Sequence, residues 1–179
     1  AGDRFDGTDL GFTEGPNLYK KDGWYYLIVA EGGTSYGHAV TVARSRSLTG
    51  PYEADPAGPA LTSRFHPLDP LQKAGHASIV ETQNGETYMV YLCGRPLRNR
   101  GRCTLGRETA IQRMIWGQDD WLRTLDGQGL PTLDTPAPEL PEHPFPPQPA
   151  REDFDTAQLP MDFQWLRTPW PAEIFSLCA

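Results

Sequence analysis

Leu18-Tyr19-Lys20-Lys21-Asp22-Gly23-Trp24-Tyr25-Tyr26-Leu27-Ile28-Val29-Ala30 reads as two strands folded back on each other. Asp-Gly supplies the residues that a tight hairpin turn demands, so 17–20 and 24–31 are the predicted strands, with Lys21-Asp22-Gly23 between them. The second run is almost continuously aromatic and apolar, the pattern of a strand covered on both faces. The unit returns farther along the chain. Laying Asp22-Gly23 over Asn84-Gly85 sets Tyr25-Tyr26-Leu27-Ile28 on Thr87-Tyr88-Met89-Val90, an offset of sixty-two residues. The same offset lays Glu14 over His76. A repeat that keeps its apolar skeleton and changes a polar residue at one edge suits a site assembled from several repeats.

Working outward, a third strand is predicted from His38 to Ser45, and Leu48-Thr49-Gly50-Pro51-Tyr52 turns into a short edge strand. The second unit follows the same plan at about 76–83 and 86–93, then Glu108–Trp116, with a fourth strand near Trp121-Leu122-Arg123. Residues 94–106 make a polar, Arg-rich loop. Two units of about four strands and roughly 60 residues suit blades of a β-propeller. A blade needs neighbours to cover its faces, and propellers close with ~4–8 of them. Residues 1–130 therefore read as about two blades of an incomplete ring, expected to be part of a larger body; an eight-stranded β-sandwich is the competing architecture. Eight prolines between positions 131 and 149 make 131–150 an extended linker. Residues 151–179 carry Arg151-Glu152-Asp153-Phe154-Asp155 and Phe163-Gln164-Trp165-Leu166-Arg167-Thr168-Pro169. They look like the first strands of a further all-β domain, too short for a core of their own.

The 179 residues carry a formal charge of −7, which argues against nucleic acid, since phosphate contacts need a basic face. No apolar run approaches the ~18 residues that span a bilayer, so no membrane partner is expected. Cys93, Cys103 and Cys178 show no C-x-x-C spacing, and Ala1-Gly2-Asp3-Arg4 has no signal-peptide character. A reducing, cytoplasmic setting is the expectation. The four histidines form no metal-protease pattern.

Glu14 precedes a Gly-Pro pair at the start of the first strand. In a propeller the innermost strand of each blade lines the central channel. A carboxyl there, partly desolvated among aromatics, would have a raised pKa and suit a general acid. The plain alternative is a surface Glu at a strand start, and His76 alone reads equally as a satisfied hydrogen-bonding residue. Arg107 would sit at the inner end of a strand, to fork onto ligand hydroxyls or to pair with Glu108 or Glu14. Glu31-Gly32-Gly33-Thr34-Ser35-Tyr36-Gly37 lacks the Lys and following helix of a phosphate loop and reads as the rim of a pocket. Trp24, Tyr36, Trp116 and Trp121 could stack on sugar rings, though their strand positions suit core packing.

Thr13-Glu14-Gly15-Pro16, Glu31-Gly32-Gly33-Thr34, Leu71-Gln72-Lys73-Ala74-Gly75-His76-Ala77-Ser78 and Leu105-Gly106-Arg107-Glu108-Thr109 stand in this order. Together they resemble family 43 glycoside hydrolases, most closely the β-xylosidase branch, over about residues 5–125. The resemblance implies a five-bladed propeller, here incomplete, followed by a β-sandwich. It implies an inverting, exo-acting site that takes terminal xylose or arabinose from xylo-oligosaccharides or arabinosides. Glu14 would be the general acid, and Thr34, His76 and Arg107 would line the pocket for the terminal sugar. The family's base is an Asp of the first blade, and Asp3, Asp6 and Asp9 lie too close to Glu14 to be its counterpart. The chain alone is therefore expected to be inactive. No cofactor is expected, although some members of the family hold a divalent cation near the residue matching His76. The full-length parent is expected to form a homo-oligomer. A non-catalytic, propeller-type sugar-binding module is the alternative.

Overall fold

The structure, a computed structural model, describes residues 11–98, 101–164 and 177. Among these there are nine strands and no helix. In the first sheet β1 (Thr13–Lys21), β2 (Trp24–Glu31), β3 (Ala39–Ser45) and β4 (Glu53–Ala54) lie side by side in chain order. A short β5 (Leu61–Thr62), absent from the sequence reading, joins the same sheet by pairing with β3. The second sheet orders β6 (Gln72–Glu81), β7 (Thr87–Gly94), β8 (Glu108–Trp116) and β9 (Leu122–Thr124) in the same way. All pairs are antiparallel. These are two propeller blades, and the sandwich alternative is set aside for the described residues.

The near-continuous apolar run of β2 has the burial it predicts: every residue from Ile28 to Glu31 is buried. Tyr26, Ile28, Val40 and Val42 of the first blade pack with Ala74, Ala77, Met89, Tyr91, Met114 and Leu122 of the second in one core. Each large apolar side chain so buried contributes about 1.5–3 kcal/mol. The innermost strands meet through alternate residues. Asn17 donates to the Ala77 carbonyl (3.1 Å), the Ile79 amide donates to the Tyr19 hydroxyl (2.9 Å), and Lys21 pairs with Glu81 (2.9 Å). The Tyr26 hydroxyl adds a bond to the Asp120 carbonyl (2.6 Å).

The repeat itself needs one correction. Lys21 pairs with Trp24, so the first turn has two residues, Asp22 and Gly23, both at positive φ (49° and 78°). In the second blade the Thr82 amide bonds the Glu86 carbonyl across three residues, with Gly85 at φ 80°. The extra turn residue slips β6 by one relative to β1. β2 and β7 keep the offset of sixty-two, since Ala30 faces Glu14 as Leu92 faces Gly75. Glu14 is thus equivalent to Gly75, and Gly15, not Glu14, is equivalent to His76.

The first compact unit runs to Leu140. The opening of the proline-rich stretch lies against the second blade without forming a strand. Gln112 donates to the Leu130 carbonyl and accepts from the Thr132 amide (both 3.0 Å). The Tyr88 hydroxyl donates to the Pro136 carbonyl (2.8 Å), and the Glu139 amide donates to Glu86 (2.9 Å). Residues 141–179 form the second unit. Its described residues 141–164 hold bends and turns without strand pairing, and Trp165-Leu166-Arg167-Thr168-Pro169 lie outside the described residues.

Candidate active site

Backbone irregularity concentrates where the two inner strands begin. Gly15 (φ 58°) makes a bulge between the Glu14–Ala30 and Asn17–Ile28 pairs of β1. β6 bulges twice, between Gln72, Gly75 and Ser78, with Lys73 at φ 59° and His76 at φ 54°. Phe12 (φ 73°), Gly32 (φ 82°) and Gly33 (φ 68°) complete the cluster, and the Gly32 amide donates to the Phe12 carbonyl (3.3 Å). Non-glycine residues are uncommon at such angles, which cost about 1–3 kcal/mol each and tend to mark functional sites.

The bulges bring the sequence-predicted residues together. Gly15 lies against the His76 imidazole so closely that a Cβ there would stand 2.6 Å from Nε2. Glu14 directly precedes Gly15, and Glu14 and His76 are both exposed. Arg107 directly precedes β8, and its Nη2 donates to the Thr34 hydroxyl at 3.5 Å, the long limit of a hydrogen bond. Arg107 does not take Glu108, which Arg95 holds at 2.6–3.2 Å. Those hydrogen bonds, despite some desolvation, keep the Glu108 carboxyl below the usual range. The expected desolvation of Glu14 among aromatics is not supplied by the described residues: the side chain is exposed, and Trp24, Trp116 and Trp121 pack instead in or against the core. Arg44 also stacks on two of them, its guanidinium 4.3 Å from the Trp24 ring and 4.1 Å from the Trp121 ring.

Two residues the sequence reading passed over connect this group. His38, completely buried, directly precedes β3 as Arg107 directly precedes β8, and that shared position was the available signal. Its Nδ1 bonds the Lys73 carbonyl (2.9 Å), so Nδ1 carries the proton, and among the described residues buried Nε2 has no hydrogen-bond partner. Its ring lies against Gly75, where a Cβ would come within 2.4 Å. Burial, above all, pushes its pKa down against the Lys73 hydrogen bond; His76 and Arg107 add to the depression and Glu14 opposes it. The second residue is Glu31, 1% exposed, whose carboxylate accepts the hydroxyls of Thr13 and Thr41, each at 2.9 Å. It pins the residue beside Glu14 to β3.

The His38 shift gives a testable pH dependence. The unfolded chain takes the proton near the ordinary value of 6.5, before the folded one does. Stability is then fully present above that value and is lost as pH falls toward the lowered folded pKa. Glu108 adds its own loss only below the ordinary carboxylate value of 4.5. The melting temperature should therefore drop between about pH 7 and pH 5, and should drop less for His38→Gln.

Among the described residues no three or more His, Cys, Asp or Glu gather in a way that could hold a metal.

Residues 2–122 match the model of glycosyl hydrolases family 43. The chain is 52% identical over 171 residues to Xylosidase/arabinosidase 43B of Humicola insolens, covering 96% of this chain and 31% of that protein. Against the Beta-xylosidase of Bacillus subtilis it is 46% identical over 182 residues, covering 97% of this chain and 34% of the other. Among solved structures, xylan beta-1,4-xylosidase from Bacillus halodurans aligns with a TM-score of 0.80 at 61% identity, over 86% of this chain and 29% of that one. GH43B of Bacteroides ovatus aligns with a TM-score of 0.86 at 37% identity, over 96% and 33%. The chain spans about a third of the length of the relatives it matches.

Proposed function

This chain belongs to glycosyl hydrolases family 43, and on that footing we propose that it forms part of the propeller of an inverting, exo-acting glycosidase. The enzyme releases terminal xylose, or arabinose, from xylo-oligosaccharides. The observation that supports the reading is that Gly15, next to Glu14, lies against the His76 imidazole, with Arg107 bonded to Thr34 and the charges of Glu14, His76 and Arg107 all acting on His38. Glu14 is the general acid: its carboxyl gives a proton to the departing glycosidic oxygen. Thr34, His76 and Arg107 hold the hydroxyls of the terminal sugar, the guanidinium through its fixed fork of donors.

Inversion needs a second carboxylate ~6.5–9.5 Å from the acid to activate water on the opposite face of the sugar. Glu31 does not serve, being buried and occupied by two threonine hydroxyls. As in the family, the base is then an Asp of an earlier blade that lies outside this chain, and these 179 residues alone are expected not to turn over xylosides. Xylose and arabinose both stand as released sugars, since a β-xylosidase and a xylosidase/arabinosidase are among the relatives.

The test is the product of the full-length protein acting on xylobiose and longer oligomers, followed by proton NMR from the first turnovers. Single xylose units should appear first as the α-anomer. First release of β-xylose, or of fragments longer than one sugar, would overturn the reading.

A further inference from the structure

We propose that Tyr36 is a positioning residue that latches the loop leading to Arg107 onto the first blade, an assignment that rests on the sugar-binding role given to Arg107 above. Arg107 follows the 94–106 loop, and its own bond to the first blade is weak, with Nη2 3.5 Å from the Thr34 hydroxyl. Two residues beyond Thr34, the Tyr36 hydroxyl donates to the Gly101 carbonyl of that loop at 2.7 Å, the ordinary length of a well-made bond, across 65 positions of sequence.

Both ends of the latch hold their shape. The 32–37 loop is pinched at its base, where a Cβ on Gly32 would stand 2.1 Å from the Gly37 carbonyl oxygen. Within it the Ser35 amide donates to the Gly33 carbonyl (2.9 Å), and the His38 amide donates to the Ser35 carbonyl (3.1 Å). On the far side the Gly101 amide donates to the Arg98 carbonyl (2.9 Å) and the Leu97 amide to the Arg102 carbonyl (3.0 Å). From Gly101 onward each step toward Arg107 is also tied. Cys103 Sγ lies where a Cβ on Gly94 would stand 3.1 Å away, and the Gly106 amide donates to the Cys103 carbonyl (3.0 Å). Fixing Gly101 therefore fixes the direction in which Arg107 enters the site. The Tyr36 ring makes a separate contact. The Lys73 ammonium stands 4.9 Å from its centroid, and Lys73 is the residue at φ 59° whose carbonyl takes His38 Nδ1. The sequence offers Tyr36 as a surface for a sugar ring; with a cation over the ring and the hydroxyl on Gly101, it is a brace instead.

Tyr36→Phe removes the hydroxyl and keeps the ring beside Lys73. In the full-length protein it should lower kcat/KM on xylobiose about 5-fold, the size of one lost hydrogen bond, chiefly through KM. The loss should depend on Arg107. In an Arg107→Gln background the same substitution should change kcat/KM by less than about 2-fold, because the group that the latch positions is gone. Single-turnover rates with enzyme in excess give the values even where Arg107→Gln is slow. Equal losses in the two backgrounds would make Tyr36 a general support of the fold and overturn the proposal, as would no loss in the parent. The two readings fail separately. If Arg107→Gln lowers kcat/KM while Tyr36→Phe behaves as the parent, the latch alone is wrong. If Arg107→Gln changes nothing, the sugar-binding role beneath it is wrong as well.

Discussion

Glu14→Gln in the full-length protein is expected to lower kcat on xylobiose by about 10²–10⁴-fold, the usual contribution of a positioned general acid. The departing group is a sugar alkoxide, a strong base that leaves only as it is protonated. A dinitrophenyl xyloside releases a weakly basic phenolate and should lose far less. That difference between leaving groups separates an acid role from general damage to the site. The substitution is suited to the purpose because it changes protonation and almost nothing else. Glu14 is exposed, and its backbone pairing with Ala30 does not involve the side chain. Stability should change by no more than about 0.5 kcal/mol, the range of ordinary surface substitutions. Gly15 and His76 keep their contact, so binding of the terminal sugar should persist and KM should move little. Steady-state kinetics on both substrates, with a melting curve for each protein, make the measurement. Equal losses on the two xylosides would remove Glu14 from the acid role.

Much of this arrangement is legible in the sequence because β-strands and turns announce themselves locally. Asp22-Gly23 and the aromatic run after it locate the first hairpin, and the offset of β2 onto β7 survives in the structure residue for residue. The offset of β1 onto β6 does not. It depends on whether a turn takes two residues or three, and both Asp-Gly and Asn-Gly are compatible with either. One residue of slip moves the partner of His76 from Glu14 to Gly15. Gly15, bulged and without a side chain, admits that imidazole next in sequence to Glu14. Arg107 and Thr34, seventy-three positions apart, meet through the packing of one blade on the next, which only the motifs foretold. His38 and Glu31 were hidden for another reason. Each acts by being buried against backbone or hydroxyl partners brought from other strands, and no spacing along the chain encodes that. The Phe12 backbone angle is likewise invisible before the structure, since nothing in Gly11-Phe12-Thr13 demands positive φ.

Gly75→Ala should cost stability by crowding a buried ring. A Cβ at Gly75 would stand 2.4, 2.5 and 2.6 Å from Cδ2, Cγ and Nδ1 of His38, in the middle of the ring. The imidazole has little room to yield. It is completely enclosed, and Nδ1 is held by the Lys73 carbonyl. Overpacking of this kind costs about 1–3 kcal/mol. Gly15→Ala is a useful contrast. Its added methyl meets the exposed His76 ring, which can swing outward, so the cost there comes mainly from φ 58° and is about 1 kcal/mol. The two glycines thus support one site differently, Gly75 by making room for a fixed histidine and Gly15 by admitting a free one. Thermal unfolding of Gly75→Ala, His38→Ala and the double variant tests the assignment. His38→Ala alone leaves a cavity beside Gly75, and the alanine methyl partly fills it. The double variant should then be more stable than the sum of the single losses by about 0.5–3 kcal/mol, the range found for residues in contact. Strict additivity would mean that the two side chains do not compete for the same space. Because Gly75 is the structural counterpart of Glu14 and directly precedes His76, the same substitution should also shift the imidazole from Gly15. Xylobiose turnover should therefore fall further than the loss of folded protein accounts for.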